Sequence, residues 1–185
     1  MQTAIRIIRD EHRSISAVLQ ALKELAREAQ RAAAPPPFAA LRAMIRYIDE
    51  FPEKLHHPKE DEHLFARLVS RAPESKPLVD LLQKEHVEGA RLVRELERAL
   101  VFFEDGAPDG AREFLDAVNA YAEFHWSHMR KEEQELLPLA ERYLTEADWR
   151  AIDAAFVANP DFEKLFTRIV NLAPAPVGLG PGASA

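Results

Sequence analysis

Two short stretches carry the strongest chemical signal in the chain. His56-His57-Pro58-Lys59-Glu60 and His128-Met129-Arg130-Lys131-Glu132 each place a glutamate four residues after a histidine. That spacing puts both side chains on one face of an α-helix, a turn apart. Each pair also falls on an apolar stripe, where a carboxylate is costly unless it is paired or bound to a cation. Two further histidines, His12 and His86, lie on apolar stripes of their own. Imidazole and carboxylate donors without sulfur suit iron, manganese or zinc. With two carboxylates able to bridge, two ions fit the set more naturally than one. Cysteine is absent, which excludes disulfides, thiolate nucleophiles, iron–sulfur clusters and cysteine zinc sites.

The elements that must position these donors are helices. Apolar residues recur at spacings of three and four through four long segments, roughly 3–31, 37–69, 75–104 and 110–143. The first aligns Ile5, Ile8, His12, Ile15, Leu19 and Leu22, and stops at Pro35-Pro36-Pro37. The second aligns Leu41, Ile45, Ile48, Pro52, His56, Glu60, Leu64 and Leu68, and ends before Pro73. The third aligns Leu78, Leu82, His86, Gly89, Val93, Leu96 and Leu100, and the turn Gly106-Ala107-Pro108-Asp109-Gly110 breaks it. The fourth aligns Phe114, Val118, Tyr121, His125, His128, Glu132, Leu136 and Leu139. Thr145-Glu146-Ala147-Asp148 reads as a capping box opening a shorter helix to about residue 157. Asn159-Pro160 introduces a last helical piece to about residue 171, and the Pro/Gly-rich stretch 173–185 is expected to be disordered.

The fold class is therefore all-α. The expected architecture is an up-down-up-down four-helix bundle over 1–143, with a helical extension over 144–172 packed on it and a disordered tail over 173–185. In that arrangement the first and third helices rise while the second and fourth descend. At ~1.5 Å per residue, His12, His56, His86 and His128 then fall within about 9 Å of one another along the axis. Four helices converge on one polar layer.

Composition bounds the rest. The 185 residues carry a formal charge of −7, and no basic run gives the footprint of a nucleic-acid binder. Apolar residues make up 47% and charged residues 30%, enough apolar mass for a real core. No apolar run approaches the ~18–20 residues of a membrane span. The first residues, MQTAIRIIRDEH, have charges threaded through them and no apolar signal core, so the expected location is the cytoplasm.

A ferritin-like di-iron site needs Glu-x-x-His on two helices. Glu53-x-x-His56 and Glu60-x-x-His63 both occur, but on one helix, and Trp126 stands three residues after Glu123. That reading fails. The pattern that remains is His, His-x-x-x-Glu, His, His-x-x-x-Glu across four helices, and it closely resembles the hemerythrin family, specifically the HHE cation-binding domain, over roughly residues 3–143. HHPKEDEHLF at 56–65 and HMRKEEQELLP at 128–138 share a His-x-x-x-Glu-[DE]-x-x-Leu frame, and Asp10-Glu11-His12 and Lys84-Glu85-His86 match the family's looser signals. The resemblance implies a non-haem centre of two iron ions (Fe2+/Fe3+), oxo- or hydroxo-bridged, that binds dioxygen, peroxide or nitric oxide. Carried over, Glu60 and Glu132 bridge, His12 and His56 bind one iron, and His86 and His128 bind the other.

One departure stands out. The family's oxygen carriers supply two histidines four apart from their third helix, whereas here Ala90 stands four after His86. The iron of His86 and His128 is then short of nitrogen, with His125, one turn from His128, or solvent to fill the gap. His57 and His63, off the stripe or near the bundle's lower end, are read as surface or supporting groups. Asp61 and Glu133 are expected to point outward, Tyr121 and Trp126 to pack, Gly89 and Ala90 to line a small ligand pocket or a close helix contact, and Pro58 to bend the second helix.

Three functions compete: a di-iron protein that binds O2 or a related small ligand for sensing, storage or detoxification; a di-iron enzyme acting on peroxide or nitric oxide; and a helical interaction module stabilised by its metal. Residue types and spacing leave the physiological ligand, any protein partner and the oligomeric state open.

Overall fold

The structure is a computed structural model that describes residues 2–31, 36–157, 167 and 169. Among them there are helices and no strands. Helix α1 is Thr3–Arg31. Helix α2 runs over 38–71 and changes pitch along its length: Phe38–Ile48 is α-helical, Asp49–His56 is π-helical, His57–Lys59 returns to α, Glu60–Phe65 widens again, and Ala66–Arg71 closes as α. Helix α3 is Lys76–Glu104. Helix α4 runs over 110–143, with Gly110–Lys131 and Leu137–Tyr143 separated by a π turn at Glu132–Leu136. Helix α5 is Glu146–Ala155.

The wide turns lie beside prolines. Pro52 sits inside the first π segment, Pro58 follows it, and Pro138 follows the π turn of α4. A proline has no N–H to donate, and its ring crowds the carbonyl four residues back, so a widened turn lets the helix continue past it. The amide of His57 accordingly bonds five residues back, to the carbonyl of Pro52. The Pro58 irregularity expected from the sequence is thus spread over turns that carry His56, Glu60 and their neighbours.

The links between helices follow their local chemistry. Ala72, held at φ −134° and ψ 81° ahead of Pro73, ends α2, since the residue before proline avoids the α region. Gly106 takes φ 74° after α3, letting Gly106 and Ala107 amides bond back to Phe103 and Phe102. Gly110 opens α4 against the backbone of α3: a Cβ there would lie 2.7 Å from Phe103 Cα.

Burial divides the molecule into two apolar clusters. One gathers Ile15 to Leu25 of α1, Leu41 to Phe51 of α2, Val93 to Leu100 of α3 and Phe114 to Tyr121 of α4. The other gathers Ile5 and Ile8, Leu64 to Leu68, Val79 and Leu82, and Leu136 to Ala140. Each of the first four helices passes from one cluster to the other, and the buried histidines and glutamates lie between them. Apolar layers on both sides exclude water from the polar one.

Helix α5 closes the second cluster with Trp149, Ile152 and Phe156. The expected capping box is present, with Thr145 and Asp148 bonding reciprocally. Asp148 also receives Arg71 of α2 at 2.8 Å, and Asp153 accepts the Ala4 amide at the start of α1 at 2.7 Å. The helical piece expected to about 171 lies largely, and the tail over 173–185 wholly, outside the described residues. Among those described, no helix is long and apolar enough to cross a membrane.

Candidate metal centre

Four helices deliver the donors. His12 comes from α1, His56, His57 and Glu60 from α2, His86 from α3, and His125, His128 and Glu132 from α4, each at most 7% exposed. The structure brings the six expected residues together. His12 Nε2 lies 3.2 Å from His56 Nε2, and His86 Nε2 lies 3.1 Å from His128 Nε2. The carboxylates stand between the two imidazole pairs. Glu132 turns Oε2 to His12 Nε2 at 3.3 Å and Oε1 to His128 Nε2 at 3.1 Å. Glu60 turns Oε1 to His56 Nε2 at 3.4 Å and Oε2 to His86 Nε2 at 3.8 Å. One oxygen of each glutamate thus faces each imidazole pair.

Donor atoms within 4.8 Å of one another fall into two groups: His12, His56, Glu60 and Glu132, and His57, His86 and His128. We refer to these as the first and second positions. Glu60 Oε2, both oxygens of Glu132, Glu53 Oε2 and both ring nitrogens of His57 are buried without a hydrogen-bond partner. Buried orphaned acceptors are costly, and cations at the two positions would satisfy those of Glu60, Glu132 and His57 Nε2 together. The residues fit a pair of metal ions of the nitrogen- and oxygen-binding kind.

His57 corrects the sequence reading. It is 3% exposed, and its ring stacks on His86 with centroids 4.1 Å apart and planes within 9°. Beside His86 and His128, where the sequence reading left a gap, the structure places His57 of α2 within 4.8 Å of both, donor atom to donor atom. A signal for it was present: Glu53, His56, His57 and Glu60 follow the three-four spacing of a stripe about 100° wide. Following four-residue steps alone, from Pro52 to His56 to Glu60, narrows that stripe and leaves His57 outside.

Four of the cluster histidines have the other ring nitrogen against a carboxylate. His12 Nδ1 meets Glu133 at 2.8 Å, His56 Nδ1 meets Glu11 at 2.8 Å, His86 Nδ1 meets Asp61 at 3.2 Å and His128 Nδ1 meets Glu85 at 2.9 Å. A carboxylate on Nδ1 fixes the tautomer, aims Nε2 at the metal and makes it more basic. Asp61 and Glu133 therefore do not simply face solvent, as their positions one residue past the bridging glutamates suggested. Each reaches sideways to a histidine of a neighbouring helix, while Glu133 stays 40% exposed. Helical phase alone cannot reveal a contact made across to another helix.

The charges respond to this packing. Burial tends to lower every cluster histidine's pKa. For His128 the carboxylates of Glu132 and Glu85 outweigh burial and lift it to about 9. Glu132 and Glu133 likewise raise His12, and Asp61 and Glu132 raise His86. His57 goes well below its usual range, through burial and then the neighbouring His86. Glu60 is raised well above the carboxylate range by burial and then by Glu132, whereas Glu132, ringed by His128, His12 and His86, is held well below it despite burial.

His125 is 1% exposed but belongs to neither donor group. Its ring stacks on Tyr121 at 5.2 Å and lies 5.9 Å from His128 by centroids. Tyr121 does more than pack, since its hydroxyl donates to Glu53 Oε1 at 2.8 Å. Gly89 lies against that same carboxylate rather than against open space. His63 keeps a side chain 30% exposed, near Glu62. A solvent-connected cavity of about 530 Å³ between α1 and α4 reaches His12, with Arg13, Trp126, Met129, Arg130 and Glu133 in its wall.

No match to the chain is found among curated proteins. A family model does match, over residues 3–140, and those bounds contain all of the donors and their carboxylate partners. By that match, the chain belongs to the hemerythrin HHE cation-binding domain family.

Proposed function

We propose that this protein is a hemerythrin-like, non-haem di-iron protein that binds O2 or a related small ligand. The observation that carries the reading is the disposition of Glu60 and Glu132, each with one oxygen toward each of two histidine clusters. The first four helices are read as an up-down-up-down bundle, with the extension after residue 143 closing one end. His12 and His56 would hold the first iron, His57, His86 and His128 the second, and the two glutamates would bridge them. An oxo- or hydroxo-bridged iron pair supplies coordination and redox electrons for dioxygen, peroxide or nitric oxide. The protein's own part is to aim five imidazoles through their carboxylate partners, keep the pair between two apolar layers, and admit ligand at one side.

That side is the first position. It has two imidazoles against three, and the cavity that touches His12 opens beside it. The same observation supports a second reading, a di-iron enzyme acting on peroxide or nitric oxide, since a less saturated metal facing solvent suits turnover. The expected open position is thereby moved from the iron of His86 and His128 to that of His12 and His56.

The test is elemental analysis of protein made with iron supplied, together with its spectrum. Two irons per chain, near-ultraviolet and visible absorbance, and a shift on adding azide are expected. One zinc per chain and no absorbance beyond the protein band would overturn the proposal. Rapid loss of added peroxide would favour the enzyme over the binder.

A further inference from the structure

Glu53 is a buried carboxylate whose task is not explained by the bridging scheme. Its side chain is 3% exposed, between α2, α3 and α4. Oε1 accepts the Tyr121 hydroxyl at 2.8 Å, and Oε2 lies 3.3 Å from His57 Nδ1. Across from it stands Gly89, where a Cβ would come within 2.9 Å of Oε1 and 3.2 Å of Oε2. That is closer than side chains approach, so any residue larger than glycine must displace the carboxylate. One helix thus supplies the carboxylate, a second leaves room for it, and a third ties down its free oxygen.

We propose that Glu53, Gly89 and Tyr121 form a positioning unit that makes His57 a metal ligand and so gives the second position its third nitrogen. The inference rests on the reading of His57 as a ligand given above. An imidazole has two nitrogens and can present either one; a carboxylate at Nδ1 reserves the proton there and leaves Nε2 for the metal. The other four cluster histidines hydrogen-bond through Nδ1 to Glu133, Glu11, Asp61 and Glu85, all of which retain some exposure to solvent. Glu53 Oε2, by contrast, stands 3.3 Å from His57 Nδ1 without a hydrogen bond. Glu53 approaches His57 from the deep side of the layer, with its other oxygen held by the Tyr121 phenol, so a small turn of the His57 ring brings Nδ1 onto Oε2 when Nε2 takes up a metal. A buried carboxylate with an oxygen outside any hydrogen bond works against the fold of the metal-free chain. Its removal should therefore leave folding intact and damage metal binding, opposite to the signature of a structural residue.

The experiment measures affinity at both positions with cobalt(II) against a chromophoric chelator, on the full chain. The visible cobalt bands report coordination, and thermal unfolding of the metal-free variants reports the fold. In Glu53→Leu, one of two cobalt ions should bind about 10–100-fold more weakly with altered bands, the other should be unchanged, and the metal-free melting temperature should not fall. Glu53→Gln, which keeps an acceptor for His57, should restore most of the loss. Gly89→Ala should weaken the same ion, and adding it to Glu53→Leu should cost nothing more, since the group it displaces is gone. Unchanged affinities in Glu53→Leu, or losses that add in the double variant, would overturn the proposal. His57→Ala separates the two levels: if it keeps both ions at full affinity, the ligand assignment fails and this inference with it. If His57→Ala loses an ion while Glu53→Leu does not, the positioning unit alone is refuted.

Discussion

Raising the pH of the metal-free protein from about 6.5 to 9 should destabilise it, and between about 4.5 and 7 Glu53 should add a falling contribution that its replacement removes. Glu53 contributes a fall in the lower window and His128 in the upper one, while below 6.5 the buried His56, His57 and His125, whose pKa values burial lowers, oppose Glu53. Glu53 ionises near 4.5 when unfolded and is pushed up to about 7 in the folded chain, by burial that its Tyr121 hydrogen bond offsets in part. Between those values the folded state holds a proton the unfolded state has released, so its contribution to stability falls as pH rises through that window and levels off above it. At about 1.4 kcal/mol per pH unit the gap is worth on the order of 3 kcal/mol. His128 acts in the next window. Burial opposes its charge, but Glu132 and Glu85 win and lift it from 6.5 to about 9. Its contribution is complete below 6.5 and is lost as pH rises toward 9, by a similar amount. Metal reverses the trend, because ions bind only the deprotonated imidazoles and carboxylates, so the loaded protein should gain stability over the same range. Urea unfolding at pH 5, 6, 7, 8 and 9, with metal and after chelation, measures both curves. Glu53→Leu should shift the metal-free slope between 5 and 7 toward rising stability and leave the slope above 7 in place. A variant that keeps the parent slope between pH 5 and 7 would refute the assignment of that contribution to Glu53.

The other expectations are local. Glu132→Ala should lose both ions, whereas Glu133→Ala should weaken the first position about 10–100-fold by freeing His12 Nδ1, visible as one labile iron in chelator competition. His125→Leu should keep two ions per chain, because that imidazole joins neither donor group; loss of one ion would return it to the ligands. Met129→His, on the wall of the cavity, should add a nitrogen beside the first position and weaken the azide response, which a spectral titration would read. Thr145→Ala breaks the capping box that holds α5 and should cost about 1 kcal/mol, a fall of some 2–4 °C in melting temperature.

The all-helical class and the gathering of six polar side chains were legible because both are written in single-helix periodicity. Apolar stripes located the helices to within a few residues, and polar interruptions of those stripes marked His12, Glu60, His86 and Glu132. What escaped depends on relations between helices. Glu11, Asp61, Glu85 and Glu133 each lie one residue from a ligand in sequence, yet each serves a histidine on another helix. Gly89 reads as a packing glycine until the carboxylate of Glu53 is found against it. His57 was missed for a different reason. Its own helix carried the signal, but His56 and His57 flank the stripe's centre on opposite sides, and a narrow stripe admits only one of them.

The site's arrangement is close to a two-fold repeat, and its departures from that repeat bear on function. Glu11-His12 on α1 matches Glu85-His86 on α3, and His56-x-x-x-Glu60-Asp61 on α2 matches His128-x-x-x-Glu132-Glu133 on α4. The hydrogen bonds obey the same relation: Glu11 serves His56 as Glu85 serves His128, and Glu133 serves His12 as Asp61 serves His86. Symmetric halves would give two equivalent metal positions. The repeat breaks one residue after each leading histidine, where α2 has His57 and α4 has Met129. It breaks again three residues before each, where α2 has Glu53 and α4 has His125. On one side the substitutions add an imidazole and the carboxylate that aims it. On the other they leave a thioether in the wall of a cavity that reaches solvent. The same two differences that add an imidazole at the second position leave a cavity beside the first, so under the proposed di-iron reading saturation of one ion and access to the other would have a common structural origin.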